Sequence, residues 1–154
     1  MTFQLKTCLT LGLVAIGLAA GTALSDTWGV GAAGGTAPGL SVQFAPAPSL
    51  AYHASAAYGH DSAQITTDLQ RHVTPGFGQG RGWRLSFYGG LGLSGAARQD
   101  DETPEAFHAR LPIGTQCDVR ELHLSLFAEV AALLGELPMT RLSNAAAIGA
   151  RATF

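Results

Sequence analysis

"LHLSLFAEVAALLGEL", residues 122–137, decides the fold. By composition it reads as a helix, because Leu, Ala and Glu are strong helix formers. By pattern it reads as a strand: Leu122, Leu124, Leu126, Ala128, Val130, Ala132 and Leu134 share one parity, and His123, Ser125, Phe127, Glu129 and Ala131 share the other. An amphipathic helix places apolar residues at a 3.6-residue period, whereas strict alternation marks a strand with one apolar face. The alternation over the first half of the stretch decides the reading, and it is strand.

The same period recurs along the chain. Trp28, Val30 and Ala32 alternate with Gly29, Gly31 and Ala33; Leu40, Val42 and Phe44 with Ser41 and Gln43; Leu50, Tyr52, Ala54, Ala56 and Tyr58 with His53, Ser55 and Ala57. Ile65, Thr67 and Leu69 oppose Gln64, Thr66, Asp68 and Gln70. Further on, Trp83, Leu85, Phe87, Leu91 and Leu93 oppose Arg84, Ser86, Tyr88, Gly90, Gly92 and Ser94. Phe107, Ala109, Leu111 and Ile113 oppose His108, Arg110, Pro112, Gly114 and Gln116. Finally Leu142, Ala146, Ile148, Ala150, Ala152 and Phe154 oppose Ser143, Ala147, Gly149, Arg151 and Thr153. With the opening stretch this makes eight strands. They are separated by the breakers "GGTAPG", "APAPS", "GHDS", "TPGFGQGRG", "AARQDDETPE", "DVRE" and "GELPMT".

Composition narrows the class. The 154 residues are 47% hydrophobic and 13% charged, with a formal net charge of −2, so a polyanion finds no basic footprint and nucleic acid is excluded as a partner. Residues 1–25 read as a signal peptide: Lys6 in a short positive region, the apolar "CLTLGLVAIGLAA", then Ala23-Leu24-Ser25 as a small-x-small cleavage site. The mature domain is expected over residues 26–154. Cys117 is then its single cysteine, which excludes a disulfide framework.

Alternating strands behind an export signal fit either a soluble sandwich or a closed barrel in an outer membrane. A sandwich turns its large apolar face inward. A membrane barrel turns it to lipid and keeps the lumen polar or small. Here the opposite face carries Gly, Ala, Ser and several charges, which suits the crowded interior of a narrow barrel. An even strand count puts both ends of the barrel wall on the periplasmic side. Trp28, Phe44, Tyr52, Trp83 and Phe154 then form an aromatic girdle at that side, with Tyr58 and Phe107 near the outer rim.

On these residues the chain resembles the small eight-stranded outer-membrane barrels of the OmpA/OmpX type. The resemblance covers essentially all of the mature sequence and is carried by "FYGGLGL" (residues 87–93), "ARLPIGTQCDV" (109–119), "LFAEVAALL" (126–134) and "IGARATF" (148–154). Ala152 departs from the aromatic that such barrels often carry two residues before the last phenylalanine. The resemblance implies an all-β, eight-stranded antiparallel transmembrane barrel in the outer membrane. It also implies that Phe154 serves as a signal for the barrel-assembly machinery, which would be a partner during biogenesis, beside outer-membrane lipid. A monomer is expected.

The turn "DVRE" is short enough to suggest a register. With Val119 and Arg120 at its tip, Asp118 faces Glu121 and Arg110 faces Glu129. Arg110 and Glu129 both have inward parity and are expected to form an ion pair in the lumen, with Arg151, Arg84, Asp68, Asp118 and Tyr88 as further members of a polar network. Such charges are placed more cheaply inside the barrel than against lipid. An eight-stranded interior is just wide enough for side chains, so the network is expected to plug the lumen rather than line an ion path.

Nothing in the sequence demands a cofactor, a metal or a catalytic role. His53 and His72 share inward parity on adjacent strands, but two histidines without a third ligand do not define a metal site. "LSNAA" (142–146) resembles the serine-asparagine stretch of a lipid A deacylase, yet Arg141 and Leu142 stand where that family places its histidine, so the base is missing. "GFGQGRG" (76–82) precedes a strand and not a helix, which argues against a phosphate loop. The reading is a non-enzymatic barrel with a closed polar lumen, serving envelope structure or surface presentation. Two alternatives accompany it: an adhesion or ligand-binding module acting through loop 96–105, where Asp100, Asp101, Glu102 and Glu105 form an acidic patch, and a lipid-modifying enzyme.

Overall fold

A computed structural model describes residues 28–36, 38–58, 62–98, 106–135 and 142–154. In chain order they form β1 (Trp28–Gly35), β2 (Gly39–Ala47), β3 (Leu50–Tyr58), β4 (Ser62–Val73), the two-residue β5 (Gln79–Gly80), β6 (Trp83–Arg98), β7 (Ala106–Val119), β8 (Leu124–Leu134) and β9 (Leu142–Thr153). Each long strand pairs antiparallel with its neighbour in sequence, β4 pairing directly with β6, and β9 returns to pair with β1. Eight staves therefore close into a barrel, and β5 is a small appendage on β6. Closure leaves no stave with an unpaired edge. At the closing seam the backbone N–H groups of Trp28 and Phe154 each donate to the other's carbonyl, at 3.1 and 3.0 Å.

Parity sets the two faces. Leu40, Leu91, Leu93, Phe107, Ile113, Val130 and Ile148 are exposed on the outer wall, while Ser41, Gln43, His53, Asp68, Gln70, Arg110, Glu129 and Arg151 are buried within. This inverts the arrangement of a water-soluble protein, in which so large a continuous apolar surface would be a liability. On the outward parity of the eight staves, Arg71 of β4 is the single charged side chain among the described residues. No helix among the described residues is long and apolar enough to cross a membrane, which does not bear on crossing by strands.

Two prolines mark the irregularities. The β2–β3 register shifts between Phe44 and Ala47, around Pro46, where a bulge needs no donor from the proline nitrogen. In the β6–β7 ladder, pairing runs to Gly89↔Ile113 and resumes at Gly92↔Arg110, skipping Pro112, which has no N–H to offer.

The hairpin register differs from that expected. Residues 120–122 form a 3-10 turn, and His123 closes it in the left-handed conformation (φ 48°), its N–H bonded to the Arg120 carbonyl at 3.2 Å. The apex therefore falls at Glu121 and Leu122, two residues beyond the expected tip, and β8 begins at Leu124 rather than Leu122. Asp118 stands across from Ser125 instead of Glu121; Arg110 faces Leu133, and Glu129 faces Gly114. An even shift leaves every parity unchanged. The loop expected from residue 96 also starts later, because β6 continues to Arg98. Residues 1–25 and the acidic Asp100, Asp101, Glu102 and Glu105 lie outside the described residues.

The aromatics gather at two levels. At the end of the barrel bearing the Trp28–Phe154 seam, Trp28 packs on Phe44 with ring centroids 4.8 Å apart, and Phe44 stacks on Tyr52 at 6.4 Å. Trp83 opens β6 at the same end. Tyr58 closes β3 and Phe107 lies near the start of β7, at the opposite end.

Candidate functional site

The lumen is the one place where chemistry-bearing side chains converge among the described residues. Period-2 alternation points one residue in two at the barrel axis, and closure brings those of opposite staves together. They form a single connected network. Arg84 of β6 donates to Asp118 of β7 at 2.8 Å, and Gln116 Nε2 donates to the other oxygen of Asp118 at 2.8 Å. Arg151 of β9 reaches Gln116 at 3.4 Å, Gln43 at 3.1 Å and the Ser41 hydroxyl at 2.8 Å. Ser41 contacts His53 Nε2 at 3.0 Å, and His53 Nδ1 contacts Asp68 at 3.1 Å. Arg110 bonds both Asp68 and Glu129, and Glu129 also accepts from Tyr88 at 3.0 Å and from Gln70 at 3.3 Å.

All seven residues expected in the lumen belong to this network: Arg110, Glu129, Arg151, Arg84, Asp68, Asp118 and Tyr88. Their charges balance, with three arginines against two aspartates and one glutamate. Arg151 alone of the three arginines has no carboxylate in hydrogen-bond contact. It is 1% exposed, and its guanidinium lies 3.8 Å from the ring centroid of Phe127. The aromatic face supplies negative potential where a carboxylate would otherwise be needed.

Every stave but β1 contributes a side chain, and β1 contributes room. A Cβ on Gly29 would stand 3.3 Å from Arg151 Cδ, and one on Gly149 would come within 2.5 Å of the Phe127 ring. The small residues of the inward face thus shape the space that the large ones fill.

Residues that sequence reasoning left out of the network are Ser41, Gln43, Gln70, Gln116, His53 and Phe127. Their signal was present, since all have inward parity at the level of residues that were singled out. His53 and His72 do not form a joint site: His53 bonds Ser41 and Asp68, whereas His72 stacks on Tyr88 with centroids 5.0 Å apart. Ser143 of "LSNAA" is exposed near the start of β9.

Two arrangements in the lumen have the outline of reactive sites. Ser41, His53 and Asp68 have the nucleophile, base and orienter spacing of a hydrolase triad. Asp68, as an acceptor, places the proton on His53 Nδ1 and leaves Nε2 to accept from the serine hydroxyl. Yet Ser41 is 0% exposed, and Arg151 Nε occupies its oxygen, so no carbonyl carbon can approach. His53, Asp68 and Glu129 also offer ligand atoms within 4.8 Å of one another. The guanidinium of Arg110 bonds both carboxylates and takes the place a metal cation would need.

A buried, charge-balanced lumen inside an apolar outer wall defines the class: the chain has the fold of the small eight-stranded outer-membrane barrels. Among solved structures it is similar to the N-terminal β-barrel domain of OprF from Pseudomonas aeruginosa, with a TM-score of 0.56 and 14% identity over 84% of this chain and 96% of that one. At that identity the likeness establishes the fold alone. No family model matches the chain, and no curated protein matches it in sequence.

Proposed function

We propose that this chain is a non-enzymatic outer-membrane protein, a monomeric barrel whose lumen is closed by its own side chains and whose role is structural in the envelope. The observation that carries the reading is the hydrogen-bonded network spanning the lumen from Arg84 to Gln70, with equal positive and negative charge and side chains from seven of the eight staves. A conducting pore needs free charged or polar groups facing water; here each carboxylate is held by an arginine. In this reading residues 1–25 direct export, the Trp28 end faces the periplasm, and the apolar wall meets lipid. Phe154 is read by the assembly machinery during biogenesis, and Trp28, Phe44, Tyr52 and Trp83 anchor the periplasmic interface, with Tyr58 and Phe107 at the outer one.

The test is electrophoretic mobility in detergent with and without boiling, combined with membrane fractionation. The folded barrel is expected in the outer-membrane fraction and to change mobility on heating. Recovery in the soluble periplasm with no heat-dependent shift overturns the reading. For the closed lumen, the purified protein in planar bilayers is expected to give no sustained conductance, and regular open-channel steps at low voltage overturn closure.

A further inference from the structure

Arg71 lies on the wrong face for a charge. In β4 the side chains of Asp68, Gln70 and His72 enter the lumen, whereas Leu69, Arg71 and Val73 are exposed on the outer wall. The Arg71 side chain makes no hydrogen bond or ion pair with any described residue. A cation on the lipid face of a barrel costs about 2–4 kcal/mol at the bilayer midplane and about 0–1 near the interface. Its register sets its depth: Arg71 pairs with Leu50, the first residue of β3, two positions before the end of β4. It therefore stands at the rim level marked by Tyr52, which pairs with the neighbouring Leu69.

Its surroundings on the other side are bare. Across the β4–β6 ladder Arg71 faces Gly89, and a Cβ there would meet nothing closer than Ile113 Cγ2 at 3.8 Å. Phe87, opposite Val73, and Leu91, opposite Leu69, stand on either side. The result is an exposed guanidinium beside a flat patch of backbone, framed by exposed aromatic and aliphatic side chains.

We infer that Arg71 and the bare wall at Gly89 form a binding site for the phosphate of a membrane phospholipid in the leaflet at the Trp28 end. The inference rests on the membrane-barrel reading above. A guanidinium is suited to bidentate hydrogen bonding of phosphate, and its stem lies along the apolar wall while its head reaches the headgroup plane. The glycine lets the glycerol portion approach the backbone; Leu69 and Leu91, deeper along the wall, flank the first carbons of the acyl chains, and Phe87 stands on the headgroup side.

The experiment is native mass spectrometry of the purified barrel in detergent with dioleoyl phosphatidylglycerol added. The wild-type protein is expected to retain lipid with an affinity about fivefold greater than Arg71→Gln, the effect of one cation near an anionic surface. Arg71→Lys, which keeps the charge but not the bidentate fork, is expected to retain lipid at a level between wild type and Arg71→Gln, and Gly89→Leu to lose it by filling the patch without replacing the arginine. Dioleoylglycerol, which lacks the phosphate, is expected to bind wild type and Arg71→Gln alike. Equal retention of phosphatidylglycerol by wild type, Arg71→Gln and Gly89→Leu overturns the site. So does an equal loss in Arg120→Gln, which would show a general effect of charge, or displacement of the lipid by millimolar inorganic phosphate. Heat-dependent mobility is measured on the same samples: its absence in the wild type counts against the barrel reading, whereas its presence with no lipid discrimination counts against this site alone.

Discussion

Arg110 and Glu129 form an ion pair in the lumen without standing opposite each other. Arg110 is across from Leu133 and Glu129 across from Gly114, so the arginine reaches along the barrel axis and bonds Asp68 of β4 with its other terminal nitrogen. One guanidinium thus holds two carboxylates on two staves, in a space where Arg110 is 6% and Glu129 5% exposed. Arg110→Ala leaves both acids buried without their cation and is expected to destabilise the barrel by about 3–5 kcal/mol. Glu129→Gln is expected to cost less, because Asp68 still holds the arginine. Urea unfolding in detergent measures both. Removing Arg110 and Glu129 together is expected to be less damaging than the sum of the two changes, and strict additivity would mean that the pair contributes no coupling.

The contrast between two glycines of β6 gives a second expectation. A Cβ on inward Gly92 would overlap Asp68 and the Thr67 carbonyl, while one on outward Gly89 would make only ordinary contacts, the nearest with Ile113 Cγ2 at 3.8 Å. Gly92→Ala is therefore expected to cost roughly 1–3 kcal/mol through overpacking, and Gly89→Ala to change stability by less than about 0.5 kcal/mol. Thermal unfolding midpoints of the two variants compare them directly. A Gly92→Ala barrel as stable as the wild type would show that the lumen is not packed at this level.

The fold was legible because its signal is periodic. Parity assigned nearly every residue of the eight staves to a face, and parity survives a shift of the hairpin apex by two residues, which is why Arg110 and Glu129 still share the lumen although the expected pairing of their backbones was wrong. What alternation lacks is depth along the axis. A turn of four residues looks like a turn of two in "DVRE" until His123 is found in the left-handed conformation. Depth also decides which inward residues touch, so Ser41 and His53 could be placed in the lumen but not beside Arg151 and Asp68. Arg71 was missed for the opposite reason: it breaks the alternation of its own strand, and a single exception carries no periodic signal.

Phe154 separates assembly from stability. Its backbone closes the seam with Trp28, and its side chain is exposed on the outer wall. Phe154→Ser keeps the backbone hydrogen bonds and removes only the exposed ring. The expected outcome is lower yield of folded protein in the outer membrane of cells, with refolding of purified protein into detergent micelles changed little. If the purified variant fails to refold to the same extent as it fails in cells, the ring acts in packing and not as an assembly signal.

Ser41 offers the sharpest test of the non-enzymatic reading, because its geometry is that of a nucleophile. The hydroxyl sits 3.0 Å from His53 Nε2, and His53 is oriented by Asp68 at 3.1 Å, distances at which a serine in an open cleft would be activated. Three features suppress that chemistry: complete burial, the Arg151 N–H bonded to the hydroxyl oxygen, and the Arg110 guanidinium competing for Asp68. A fluorophosphonate probe, whose phosphorus must reach the serine oxygen and release fluoride, is therefore expected to leave the folded barrel unlabelled in detergent and in vesicles. Arg151→Ala removes the bond to Ser41 but leaves the Arg110 bridge in place, and it is likewise expected to stay unlabelled. Labelling of the wild type that is lost in Ser41→Ala would reverse the assignment. It would mean that the lumen opens far enough to admit a substrate and that the trio is a working hydrolase site, so this single measurement bears on both the closure of the barrel and the absence of catalysis.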